Sequence, residues 1–389
     1  MASASGILHT NRHKRAARVL GAGLALGACL WATTASAQSE PSVGGDRVES
    51  SLAEPTLESA DSTRWSARAR WGLEYDDNPY RLEGYDESGD ALTRYLVGAD
   101  IVTDLAPSGQ VSATLRHGGT LFRREADASA ILTEASGAGS WRLHRRVGVQ
   151  ALVDIKDRTE RESQRDYNRG GVGLRINGSL GPLRVWAGPS LRYFAFKPSP
   201  TSSNSGPSLQ TGIRWMIRND LAADGSYSRT WRNYSSPAWQ VENGAFVPYS
   251  DGRKRSDQYD AVQVSLRYQR AISARVGYQY GRNRSNSFGQ GLRRHGLDAS
   301  VTVPLFWEVF LSARAEVQRT RYQDRVLIDE FFFIDEDNRN NLAAALARPI
   351  GDGWEVEVRY NFFAQEFGTD GEYGRQTLGL AIGYYLDSR

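Results

Sequence analysis

Cysteine is almost absent from this 389-residue chain, which holds one, Cys29, near its N-terminus. If that segment is lost on export, no disulfide can form, so the remainder suits an oxidising compartment without depending on it. Long apolar runs are missing as well. Past residue 37 nothing approaches 18 consecutive apolar side chains, which excludes a transmembrane helix. Histidine is scarce, at 5. No Gly-x-Ser-x-Gly or His-Glu-x-x-His run appears, nor a Cys/His metal set, nor a phosphate-cradling glycine loop. A catalytic site, a metal and a cofactor are therefore not expected, although abundant Ser and Asp leave a lipid-modifying enzyme open as an alternative.

What the chain has is alternation. In Trp65, Ala67, Ala69, Trp71, Leu73 and Tyr75 apolar groups take every second place, while Arg64, Ser66, Arg68, Arg70, Gly72 and Glu74 fill the gaps. Successive side chains of a strand point to opposite faces, so one face is greasy and the other charged. Ten such residues cross a bilayer as a tilted strand, and the pattern recurs to the C-terminus. The expected fold is all-β: a transmembrane antiparallel up-and-down β-barrel over 64–389. Counting alternating segments between turns gives about 16 strands, with 14 or 18 as alternatives. The connections at 106–109, 181–182, 219–220 and 349–353 are short, whereas those at 76–90, 195–207, 233–257, 283–293 and 323–337 are long and polar. Short periplasmic turns and long external loops require an even strand number.

The N-terminus agrees with export. Arg12, Lys14, Arg15 and Arg18 precede an apolar run from Val19 to Trp31, and Ala35-Ser36-Ala37 offers a cleavage site, so 1–37 reads as a signal peptide. Lipid attachment at Cys29 is the competing reading. Residues 38–63, rich in Ser, Glu and Pro, read as a disordered periplasmic lead. Removing the four leader cations turns the formal +3 into −1, and with it disappears any global argument for nucleic acid. A mean hydropathy of −0.52 fits a wall only half of whose side chains meet lipid.

Aromatic residues divide by strand end. Trp65, Trp141, Trp307 and Trp354 lie beside short turns or the chain start. Tyr75, Tyr193, Trp231, Tyr259, Tyr280, Tyr322 and Tyr360 lie toward the long loops. Two interfacial girdles are the expectation. On the inward parity, roughly twenty cations face roughly eleven anions, an excess that lowers the barrier for anions. The candidate channel-lining residues are Arg68, Arg70, Arg116, Arg175, Arg192, Arg214, Arg267, Arg275, Arg314 and Arg359. The bland alternative is that such charges pair across strands. Phe331, Phe332 and Phe333, amid acids, read as a constriction folded inward or as a contact for an external partner. The acidic loops at 76–90 and 323–337 are either solvated or share divalent ions with lipopolysaccharide phosphates.

Two segments carry resemblances. Gly379 to Leu386 resembles the terminal signal read by the barrel assembly machinery. Glu74-Tyr75-Asp76-Asp77-Asn78-Pro79 resembles the Tyr-Asp-x-Asn-Pro stretch that opens barrels in uncharacterised outer-membrane families, among them β-barrel porins encoded with exopolysaccharide systems. That resemblance implies passage of a sugar polymer handed over by periplasmic polysaccharide-export proteins, in contact with outer-membrane lipid and lipopolysaccharide. A channel for hydrophilic, anionic solutes or an exopolysaccharide is thus the leading expectation. A structural or adhesive barrel with a plugged lumen is the alternative.

Overall fold

The computed structural model describes residues 63–79, 89–105, 108–161, 166–324, 339–365 and 374–388. The leader, the lead up to residue 62 and the Phe331 to Phe333 triplet lie outside them. Nine strands follow one another from the start: β1 (Thr63–Asp76), β2 (Asp90–Leu105), β3 (Gly109–Phe122), β4 (Ala130–His144), β5 (Val147–Glu160), β6 (Tyr167–Leu180), β7 (Leu183–Phe196), β8 (Asn204–Arg218) and β9 (Leu221–Pro237). A small hairpin, β10 (Trp239–Glu242) and β11 (Ala245–Pro248), interrupts the series. The chain then continues through β12 (Lys254–Gln269), β13 (Ser273–Ser285), β14 (Leu292–Pro304), β15 (Phe310–Tyr322), β16 (Arg339–Pro349), β17 (Trp354–Gln365) and β18 (Gly374–Asp387). Each pairs antiparallel with its sequence neighbour, β9 pairs with β12, and β18 returns to β1, closing a 16-strand barrel.

Parity decides what faces where. Trp71, Leu73 and Tyr75 on β1, Leu174 on β6, Leu191 on β7, Val264 on β12 and Leu380 on β18 are all exposed on the outer wall. Residues of the opposite parity, among them Asp76, Gln150, Arg175 and Glu357, are buried on the inner one. Large apolar groups left in the open by a closed wall are stable only where the solvent is itself apolar, as for a transmembrane barrel. Of the girdle candidates, Trp65, Trp141, Trp354, Tyr75, Tyr193 and Trp231 are exposed on that wall. Tyr259 and Tyr322 are not: each shares the inward parity of buried neighbours, Tyr259 beneath the Arg232 guanidinium at 4.9 Å and Tyr322 opposite buried Leu292.

Four boundaries differ from the alternation. Strand β15 starts at Phe310 rather than Trp307, because Trp307 and Glu308 take positive φ of 56° and 59° inside a tight 3-10 turn, a backbone no strand can continue. Strands β8, β9 and β12 run well into segments expected to be long loops, and β9 reaches 17 residues. A membrane strand needs only about 10, so these overhang at the long-loop end. There the β10–β11 hairpin turns on Asn243 and Gly244, both at positive φ as a two-residue hairpin loop demands. It rests on the rim through Phe288 N–H donating to Trp239 O at 2.8 Å and through Phe246 and Phe288, 5.5 Å apart.

Candidate functional site

The inner wall is the only large polar surface these strands enclose, and all ten candidate arginines stand on its parity. Six of them are held by acids. Arg70 and Arg359 both donate to Glu357, the latter at 2.8 Å. Arg214 and Arg267 share Asp224 at 2.5 and 3.7 Å, Arg275 lies 3.7 Å from Asp298, and Arg314 reaches Glu316 at 3.0 Å. Arg175 lies over the Trp186 ring, 4.2 Å from its centroid.

A connected part of this pairing lies at the closure of the barrel. Arg94 on β2 donates to both oxygens of Glu74 on β1 at 2.6 and 2.8 Å. Arg70 on β1 passes over β18 to Glu357 on β17. The crossing works because β18 presents Gly379, Ala381 and Gly383 inward. A Cβ on Gly379 would sit 2.4 Å from Glu74 Cγ, and one on Gly72 2.8 Å from Leu380 O, so small residues here are required by space. Near the outer end Arg375 on β18 grips Asp76 on β1 through Nε at 2.8 Å, and Asn78 Nδ2 donates to Gly374 O at 3.1 Å. Trp65 N–H donating to Ser388 Oγ at 2.8 Å ties the other end.

Arg68, Arg116 and Arg192 differ from the others. None makes an ion pair within 4.0 Å among the described residues, and the Nε atoms of Arg68 and Arg116 are buried without a hydrogen-bond partner. Register explains how two of them come together. Arg68 and Arg116 flank Gly98 in one cross-strand row, which continues through Glu134, Lys156 and Arg169. Lys156 lies 3.3 Å from Glu134, so one carboxylate stands among four cations. Beyond Arg169 the row meets Phe194, beside Tyr167 (ring centroids 5.4 Å) and Phe196 (6.4 Å). A basic strip thus crosses β1 to β6 and ends on an aromatic cluster.

Two inward pairs were not anticipated. Arg255 donates to Asp257 at 3.1 Å through Nε and stacks on Tyr234 at 4.0 Å, and Arg375 holds Asp76; both sit where strands extend past the membrane into sequence that reads as loop. His117 and His295 lie on the outer wall, His117 against Tyr95 and Thr133 at 3.3 and 3.0 Å, His295 against Tyr278 at 2.8 Å. His144 lies at the far end of β4. The structure does not bring the three together.

A closed antiparallel wall, apolar outside and charged inside, defines the chain as a transmembrane β-barrel. No family model matches the sequence, and no curated protein matches it. Among solved structures it is similar to outer-membrane expressed OmpT of Vibrio cholerae, at 8% identity and a TM-score of 0.45 over 84% of this chain and 98% of that one. It is also similar to Pseudomonas aeruginosa OpdQ, at 9% identity and 0.42 over 84% and 98%. A bacterial polysaccharide outer membrane secretin gives 12% and 0.40 over 83% and 98%. The likeness is one of barrel shape.

Proposed function

We propose that this chain is an outer-membrane channel for hydrophilic solutes with a preference for anions. The observation that carries the reading is the pair Arg68 and Arg116, which flank Gly98 on the inner face of a closed 16-strand wall and make no ion pair among the described residues. Barrels of that strand number leave an aqueous lumen. Arg68 and Arg116, whose Nε donors have no partner, favour carboxylates and phosphates, which guanidinium groups hold by paired hydrogen bonds. Planar-bilayer recording across a potassium chloride gradient tests it: the expected reversal potential has the sign of chloride selectivity. A cation-selective potential overturns the preference. Correct assembly with no conductance overturns the channel and leaves a plugged structural barrel.

The aromatic cluster on β6 and β7 favours one cargo of this kind, an acidic exopolysaccharide. Phe194, half-buried beside Phe196, offers a flat face to sugar rings next to cations that meet their carboxylates. Deletion of the gene is expected to remove surface polymer, and unchanged polymer with lost uptake of small anions assigns the pore to nutrients instead.

A further inference from the structure

The outer wall of β9 and β12 to β15 carries a gradient that the rest of the barrel lacks. One cross-strand row reads Gly225, Val264, Tyr278, Leu297 and Val317, apolar but for one phenol. The next row toward the long loops is Tyr227, Val262, Tyr280, His295 and Arg319. Above it stand Arg229, Asp260, Arg282, Arg293 and Arg321. Within one residue pair on each strand the wall passes from hydrocarbon to aromatic to guanidinium. That is the order in which a bilayer passes from acyl chains to headgroups.

The upper row holds four arginines and one acid. Asp260 is committed to Arg229 Nε and Tyr227 Oη, both at 2.7 Å, with Arg284 Nη2 3.9 Å from its second oxygen. Arg282, Arg293 and Arg321 are direct cross-strand neighbours, so their Cβ atoms are about 5 Å apart, and like charges so placed repel. Arg293, Arg319 and Arg321 are exposed and make no ion pair or hydrogen bond among the described residues, and Arg282 Nε is buried without a partner. Three adjacent forks of donors face outward with no acid bound to them among the described residues. Elsewhere the outward rows are neutral or self-paired: on β3 to β7 the corresponding residues are His117, Thr133, Asp157, Asn168 and Ala195, and Lys197 above them already holds Asp157 at 2.9 Å.

We infer that this face binds the phosphate groups of an anionic glycolipid in the outer leaflet. Phosphates lie at the height of the arginine row when the acyl chains cover Leu297, Val317 and Val264. Each phosphate accepts paired hydrogen bonds from two neighbouring guanidinium groups and removes their repulsion. The site is independent of what the lumen conducts.

The test uses the barrel purified from membranes in a neutral detergent, with thermal unfolding and direct binding as readouts. The probes are diphosphorylated lipid A, its dephosphorylated form and inorganic phosphate. Lipid A is expected to raise the melting temperature of the native barrel. The R282Q/R293Q/R321Q variant is expected to be no less stable than the native protein in lipid-free detergent, because repulsion is relieved, and to lose the lipid-induced shift. Each arginine near an anionic surface contributes about fivefold, so lipid A binding by the triple variant falls by at least about tenfold. The single variant Arg321→Gln, with an expected loss of about fivefold, gives the same reading if the triple one does not assemble. Equal binding of lipid A by native and variant barrels overturns the inference. So does equal stabilisation by the dephosphorylated lipid, and stabilisation by inorganic phosphate matching that by lipid A reduces the face to an anion site without a lipid.

Discussion

Glu357 is the residue on which the closure of the barrel turns, and Glu357→Gln is the sharpest way to test it. Its carboxylate is 2% exposed and accepts from Arg70 two strands away and from Arg359 at 2.8 Å on its own strand. At an effective dielectric of about 20, unit charges 2.8 Å apart attract by roughly 6 kcal/mol, most of it offset by the cost of bringing both out of water. Removing only the anion forfeits the attraction and keeps the cost, which for a buried pair amounts to about 3–5 kcal/mol. The amide keeps one acceptor, so the lower end, about 3 kcal/mol, is the expectation. Denaturant unfolding in detergent, followed by the gel-mobility shift of the folded barrel, measures it. A cycle with Arg70→Met and the double variant then isolates the pair, for which about 1–3 kcal/mol of coupling is expected. A variant within about 0.5 kcal/mol of the native barrel, or strictly additive single effects, refutes the idea that this network holds β17, β18 and β1 together.

Other perturbations separate wall from lumen. Replacing Arg68 and Arg116 by Ala is expected to at least halve the chloride-to-potassium permeability ratio, read from reversal potentials, and leave unfolding unchanged. Leu174→Arg, on the outer wall, is expected to cost about 2–4 kcal/mol in lipid. Ser136→Arg, on the inner wall opposite Asp154, is expected to cost under 1 kcal/mol by the same unfolding measurement, roughly as a paired lumen charge does. Gly188→Ala places a Cβ 1.8 Å from Leu174 O and is expected to destabilise by about 2 kcal/mol, whereas at Gly296 the nearest atom is 3.8 Å away and the same change is neutral.

Much of this architecture is legible in the chain because lipid and lumen sort side chains by parity. Trp65 to Tyr75 reveals its two faces unaided, and the same alternation places Arg68 and Arg359 inward. It fails where contrast vanishes. Asn204, Gly206 and Ser208 belong to β8, yet small polar residues on a strand that overhangs the bilayer carry no hydrophobic period, so they read as loop. Tyr259 reads as girdle because an aromatic ring near a strand end suits either face. Arg229, Arg282, Arg293, Arg319 and Arg321 fall on the lipid-facing parity, a signal present in the sequence but easily absorbed into loop ends. Partners are the least accessible part. Nothing local connects Arg70 with a carboxylate 287 positions away; that contact exists only once β18 is seated between them with glycine facing in.

The distribution of pairs has a consequence for permeation. Acids on the inner wall each hold particular cations: Glu74 and Glu357 serve the seam from β17 to β2, Asp104, Glu134 and Glu160 serve β1 to β5, Asp224 serves β8 and β12, and Asp298 and Glu316 serve β13 to β15. Glu74, Glu357 and Asp224 bridge from one strand to another, and each acid neutralises the cations it binds. Arg68 and Arg116 make no ion pair among the described residues and flank Gly98 in one inward row. An anion crossing the barrel meets the Arg68 and Arg116 guanidinium groups, and charge removed from the seam acts on the same current. Glu357→Gln, chosen for stability, should on this reasoning also increase anion selectivity by releasing Arg70 and Arg359 into the lumen. Loss of stability with no change in reversal potential would separate the two roles and show that the seam arginines do not reach the permeation path.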